Sequence, residues 1–104
     1  MKNFYEKFNI KINKLLNHTD TLSLEKIAKS LISANKKNKK IIIFGNGGSA
    51  AISSHVSVDL TKNAKIRSIN FNEADLLTCF SNDYGYKKVY SKSLEFYADK
   101  GDIV

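Results

Sequence analysis

An α/β fold, with strands alternating with helices that cover them, is what this sequence predicts, and three observations predict it. Ile41-Ile42-Ile43-Phe44 is a short run of apolar, mostly β-branched residues stopped by glycine, as a buried strand would be. Gly45-Asn46-Gly47-Gly48 allows a sharp turn, and Ser49-Ala50-Ala51-Ile52 restarts the chain as a helix. Ile66-Arg67-Ser68-Ile69-Asn70-Phe71 alternates apolar with polar residues and reads as a second strand. The first strand, its glycine turn and the helix start aim free N–H groups and a positive dipole end at one point. That arrangement suits an anion such as phosphate.

The other elements follow from spacing. Phe4, Phe8, Ile12, Leu15 and Leu16 recur at helical intervals, which predicts an amphipathic helix over residues 3–17. His18-Thr19-Asp20-Thr21 breaks it, leaving His18 as an exposed helix-end residue. Leu24, Ile27, Ala28, Leu31 and Ile32 mark a second helix, with Ser23 as its N-cap. The apolar stripes of this pair read as core or subunit packing. Asn35 to Lys40 is a polar turn into the first strand. The helix after the glycine loop extends to Lys62 with Ile52, Val56 and Leu60 inward, and His55 and Asp59, four apart, share one face. A short helix from Asn72-Glu73-Ala74 through Phe80 places Cys79 among apolar neighbours, where it is expected to be buried and inert. Ser81 to Gly85 reads as a turn and Tyr86 to Tyr97 as a helix, with Val89, Tyr90, Leu94 and Phe96 or Tyr97 inward. After a turn at Asp99 to Asp102, Ile103-Val104 has the pattern of a third strand just starting. A strand left open in this way predicts a truncated chain.

Bulk properties limit the classes. With 104 residues, 42% of them hydrophobic, the chain makes at most one small domain with a modest core. The single Cys79 excludes an internal disulfide and fits a reducing compartment, so the expected location is cytoplasmic. No apolar run approaches the ~18 residues of a membrane span, and the charged, aromatic start does not resemble a signal peptide. The net charge of +7 sits wholly in residues 1–40, where ten lysines face three acids; residues 41–104 balance seven against seven. Sixteen of the basic side chains are lysine and one, Arg67, is arginine, the usual bidentate reader of bases and phosphates. A solvated lysine-rich helical face is the expectation, and neither nucleic acid nor a membrane is an expected partner.

The glycine loop admits few ligands. A Walker-type loop needs a Gly-Lys pair, which is missing, so a nucleoside triphosphate is not expected. Gly45-x-Gly47-x-x-Ala50 satisfies the permissive dinucleotide fingerprint, but Asn70 and Asn72 stand where the ribose-binding acid should end the next strand, and Glu73 comes late. No nucleotide cofactor is therefore expected. A bare strand-to-helix turn needs fewer glycines than this one has. A phosphorylated metabolite, held by loop N–H groups with help from Asn46 and Ser49, remains.

Four blocks in register carry a family resemblance: Gly45-Asn46-Gly47-Gly48-Ser49-Ala50-Ala51; His55 with Asp59-Leu60; Asn82-Asp83-Tyr84-Gly85-Tyr86; and Gly101-Asp102-Ile103-Val104. Together they resemble the sugar isomerase (SIS) family and, within it, the sedoheptulose 7-phosphate (phosphoheptose) isomerases, over about the first half of a family member. The resemblance implies a three-layer α/β/α SIS fold with a central parallel sheet, in which residues 1–38 are an N-terminal helical pair and 39–104 the first half of the α/β domain. It implies a homodimer or homotetramer with shared active sites. Substrate and phosphate contacts are implied at Asn46, Gly47, Gly48, Ser49, Asn82 and Asp83, and catalytic roles at His55 and Asp59, which are also implied as ligands of a zinc ion. Many members carry glutamate where this chain has Asp59, a shorter carboxylate. The family's Ser-Thr-Ser phosphate loop and its distal glutamine and histidine would follow Val104.

The activity so implied converts sedoheptulose 7-phosphate to glycero-manno-heptose 7-phosphate in heptose synthesis for lipopolysaccharide or capsule. Such an aldose–ketose isomerisation moves a proton between adjacent carbons. It needs an anchor for the phosphate, a base for the carbon-bound proton and an acid or metal at the carbonyl. His55 and Asp59 offer a base, a proton shuttle or two metal ligands on one helical face. The alternatives are a non-catalytic SIS protein that binds a phosphosugar or serves a partner such as a replication initiator, and an inactive fragment.

Overall fold

A computed structural model describes residues 1–104. Helix α1, Lys2–Asn17, buries none of its residues: Phe4, Phe8, Ile12, Leu15 and Leu16 all stay exposed, so the stripe expected to pack finds no core within one chain. His18 ends it, its ring nitrogen Nδ1 2.7 Å from the Lys14 carbonyl. Helix α2, Thr21–Lys36, is capped by Asp20 rather than Ser23. The Asp20 carboxylate accepts from the N–H groups of Leu22 at 3.0 Å and Ser23 at 3.2 Å, and from the Ser23 hydroxyl at 2.6 Å. A charged acceptor gains more at the positive end of a helix than a hydroxyl does, which moves the start forward. Only Ala34 of this helix is buried, and Leu24, Ile27 and Ile32 are exposed.

Strand β1, Ile41–Ile43, pairs in parallel with β2, Ser68–Asn70, in the register Ile41 to Ser68, Ile42 to Ile69 and Ile43 to Asn70. Ile103 bridges to Ile41, also in parallel, with Ile42 N–H donating to the Ile103 carbonyl at 2.8 Å and Ile103 N–H to the Lys40 carbonyl at 3.1 Å. β1 is thus the central element, and where a third strand is expected at Ile103 the structure has a single bridge beside a two-stranded sheet. Ala34, Ile41 and Ile66 form one buried cluster, backed by Leu31, Leu60 and Ile103, and Ile42, Phe71 and Val89 are buried as well.

Helix α3, Gly48–Lys62, covers one face of this sheet. Its buried residues are Ser53 and Ser57, while Ile52, expected inward, is exposed. The reason is close approach: the Ser57 hydroxyl meets that of Ser68 at 3.0 Å, and the Ser54 hydroxyl donates to Asn70 Oδ1 at 3.2 Å. Small polar residues permit that distance; isoleucine would not. Helix α4, Ala74–Tyr84, a short 3₁₀ turn at Tyr86–Lys88 and helix α5, Val89–Tyr97, follow. Residues alternate across a strand, so Phe71 points away from the α3 side of Asn70. There its ring packs on Phe44 (centroids 5.8 Å apart) and on Tyr97 of α5 (5.5 Å), while Phe44 stacks on Tyr90 at 4.3 Å. Helix, parallel sheet and helix make three layers. Two further expectations change: residues 81–84 complete the last turn of α4 instead of forming a loop, and Cys79 is exposed rather than buried. Of the pair Phe96 or Tyr97, it is Tyr97 that packs on Phe71, while Phe96 is largely exposed.

Candidate functional site

The glycine loop is built by steric need at two of its glycines. A Cβ on Gly45 would lie 2.8 Å from the backbone and Cβ of Ser49, so only glycine lets α3 start this close to β1. Gly47, the N-cap of α3, has φ +55, a conformation that side chains resist. Gly48 is different: a Cβ there would meet nothing within 4 Å, and its φ is ordinary. Nothing in the chain itself requires glycine at that position.

The loop's amides divide into held and free. Gly45 N–H donates to Asn72 Oδ1 at 3.1 Å, and the N–H groups of Ser49 and Ala50 turn back to the carbonyls of Asn46 and Gly47, both at 3.0 Å. The N–H groups of Asn46, Gly47 and Gly48 have no partner in the chain, and neither has the Ser49 hydroxyl. Three successive free donors at a helix N-terminus form a cradle of the kind that receives anions. Asn46, Gly47, Gly48 and Ser49 are all exposed. None of the four cavities is lined by them; the largest, about 440 Å³, lies between α2 and the turn at Gly101. The cradle is an open surface.

His55 and Asp59 share a face of α3 as their spacing predicts, with Nε2 to Oδ2 3.5 Å. Their side chains are 79% and 51% exposed. His55 lies seven positions along the helix from Gly48, roughly 10 Å along the axis. No group of three His, Cys, Asp or Glu residues is close enough together to hold a metal. Asn82 and Asp83, on the last turn of α4, are exposed; the Asn82 amide donates to Asp83 Oδ1 at 3.0 Å. Asp83 Oδ2 stands 3.7 Å from Cys79 Sγ, and its negative charge raises the thiol's pKa above the usual value.

Asn82 and Asp83 make no hydrogen bond to the glycine loop; their neighbour Tyr86 does. Its hydroxyl donates to Asn46 Oδ1 at 2.7 Å. Tyr90 OH lies 2.6 Å from the Gly45 carbonyl and 3.1 Å from Asn46 Oδ1, and the Asn72 amide donates to both the Gly45 carbonyl, at 2.6 Å, and Tyr90 OH, at 2.9 Å. Sequence reasoning missed Asn72, Tyr86 and Tyr90 as site-supporting residues. Asn72 was visible only as the wrong residue for a ribose acid, and Tyr90 only as an inward ring.

Known proteins share this layout. The SIS domain model matches residues 3–104. The chain belongs to the SIS family. It is 32% identical over 108 residues to a phosphoheptose isomerase of Aliarcobacter butzleri, covering 89% of this chain and 57% of that one. To the phosphoheptose isomerase of Cytophaga hutchinsonii it is 39% identical over 87 residues, covering 79% and 46%. In structure it matches the phosphoheptose isomerase GmhA of Neisseria gonorrhoeae with a TM-score of 0.72 and 25% identity, over 95% of this chain and 57% of that chain. This SIS chain therefore has the helix-rich α/β architecture of that structure and spans about half the length of the curated relatives it matches. None of its helices is long and apolar enough to cross a membrane.

Proposed function

We propose that the protein acts in phosphosugar isomerisation, converting sedoheptulose 7-phosphate to glycero-manno-heptose 7-phosphate in the cytoplasm. The observation that carries this reading is the set of three free N–H groups at Asn46, Gly47 and Gly48, beside the free Ser49 hydroxyl, at the start of α3. They supply donors and a positive dipole end for the charged or oxygen-rich part of the sugar. Similarity to relatives described as phosphoheptose isomerases supports the choice of sugar.

In this reading Asn46, Gly47, Gly48 and Ser49 hold the substrate, with Asn82 and Asp83 as further contacts. His55 takes the proton from one carbon and returns it to its neighbour through an enediol, while the hydroxyl proton of the first carbon passes to the former carbonyl oxygen of the second. Asp59, one turn on, orients the imidazole and stabilises it when charged. Zinc, which the resemblance implies, finds only two ligands in His55 and Asp59, short of the three or four it takes. These two side chains alone do not complete a zinc site, so any zinc would take further ligands besides them. A homodimer or homotetramer would supply a second wall for the open cradle.

Turnover of sedoheptulose 7-phosphate by the protein, and its loss by about a hundredfold or more in His55→Ala, is the test. Turnover at the parent rate in that variant would remove His55 from the mechanism. One observation favours a second reading, an SIS protein that binds a phosphosugar without converting it: the exposure of His55 and Asp59 leaves a base unsheltered from water. Binding of the sugar phosphate with no turnover would select it.

A further inference from the structure

The geometry points to Asn72 and Tyr90 as positioning residues that hold the anion cradle in its open form, an inference that rests on the substrate-binding reading of the loop. Asn72 lies two residues beyond Asn70, the last residue of β2, yet its side chain continues the sheet. Oδ1 accepts from Gly45 N–H at 3.1 Å and Nδ2 donates to the Gly45 carbonyl at 2.6 Å, the two bonds a neighbouring strand would make. Asn72 is itself fixed, because its N–H donates to Asn70 Oδ1 at 2.8 Å and its Oδ1 accepts from Asn70 Nδ2 at 3.2 Å. Asn70 Nδ2 in turn donates to the Ile43 carbonyl at 2.7 Å. The Tyr90 hydroxyl adds a second donor to the Gly45 carbonyl at 2.6 Å, from a ring stacked on Phe44.

Both polar groups of Gly45 are thus taken by side chains, and the peptide that joins it to Asn46 is pinned through its oxygen. A peptide unit is planar, so fixing the carbonyl of Gly45 also fixes the direction of the Asn46 N–H, the first free donor of the cradle. Without the pair, a loop with three glycines in four residues has many conformations, and the anion would have to order it on binding. Neither side chain needs to touch the ligand. Both act through Gly45.

The test uses the chain 1–104 and two variants that keep shape. Tyr90→Phe removes one oxygen and retains the stack on Phe44. Asn72→Asp retains the acceptor for Gly45 N–H and turns the donor that meets its carbonyl into a repelling oxygen. Amide NMR reads two things: the order of the Asn46, Gly47 and Gly48 N–H vectors without ligand, and their shifts on titration with sedoheptulose 7-phosphate and with inorganic phosphate. We expect loop order to fall in both variants while the amides of α3 and β1 keep theirs. Affinity should weaken about fivefold in Tyr90→Phe, the factor one ordinary hydrogen bond supplies, and more in Asn72→Asp. In Asn72→Asp the Gly45 amide should stay protected from exchange while its three successors lose order, which general unfolding would not produce. Unchanged loop order in both variants would overturn the inference even if the parent binds neither ligand. Parental affinity in variants with a disordered loop would also overturn it. A parent that binds neither ligand counts against the substrate-binding reading alone, and the ligand-free order then decides the role of the pair.

Discussion

Replacing Gly48 with alanine is expected to make the chain more stable and a poorer anion binder at once. Gly48 is the first residue of α3, has no left-handed φ and would place its Cβ in open space. Glycine in a helix costs roughly 0.5–1 kcal/mol relative to alanine, chiefly through unfolded-state entropy, and the first turn lies at the lower end. A gain of about 0.5 kcal/mol corresponds to a rise in Tm of roughly 2–4 °C for a chain of this size. Yet Cα–Cβ bonds tilt toward a helix N-terminus, so the new methyl points into the space in front of the free N–H groups. It should push an anion out of reach of at least one donor and weaken binding about fivefold. Gly45→Ala is the control: with Ser49 atoms 2.8 Å from the added carbon, overpacking of about 1–3 kcal/mol should lower Tm. Circular dichroism melts and phosphate titrations by NMR read both quantities. A Gly48→Ala chain that melts below its parent would refute the account of the helix start. One that melts higher and binds phosphate equally well would mean that no anion sits over this turn.

The ion cluster at the chain's end predicts acid sensitivity. Lys40 Nζ lies 2.6 Å from both Asp102 Oδ2 and Asp99 Oδ2, with the Asp102 side chain only 3% exposed. Burial works to raise the Asp102 pKa, but the Lys40 ammonium and the N–H groups of Asp99 and Lys40 outweigh it and hold the carboxyl well below its usual range. Its folded pKa is therefore depressed, so the stability it contributes is present above the unfolded value near 3.8 and is lost as pH falls through the folded one. Melting the protein between pH 7 and pH 2 should show stability declining below about pH 4, and Asp102→Asn should be less stable at pH 7 with a shallower decline. A parallel pH dependence in the two proteins would exclude this pair as the cause. Cys79, exposed beside Asp83, should react slowly with a neutral thiol reagent at pH 8, because the raised pKa leaves less thiolate. Asp83→Asn should speed it up, and an unchanged rate would rule out control by that charge.

The strand, glycine turn and helix at residues 41–62 were legible in the sequence because each rests on local rules: β-branched residues before a stop, glycine where φ is positive or a Cβ would clash, and helix formers after. The same holds for His55 beside Asp59, since helical spacing alone puts residues four apart on one face. Local patterns also drew apolar stripes on α1 and α2, but a stripe states only that a face is apolar and not what it meets; one chain offers that of α1 nothing and that of α2 only the core contacts of Leu31 and Ala34. Ile52 stays outside for a related reason. Which residue of a helix turns inward depends on how closely the helix approaches its sheet, and on α3 Ser53 and Ser57 take that place.

Only the tertiary structure decided what holds the loop. Asn72 and Tyr90 lie 27 and 45 residues from Gly45, and no periodicity announces a side-chain amide that finishes a strand or a hydroxyl that reaches a distant carbonyl. Sequence determines on its own whatever follows from a residue and its near neighbours: secondary structure, turn chemistry and the free amides of a helix start. Contacts between distant segments arise only when the chain closes on itself, and in this protein they fix the direction in which those amides point.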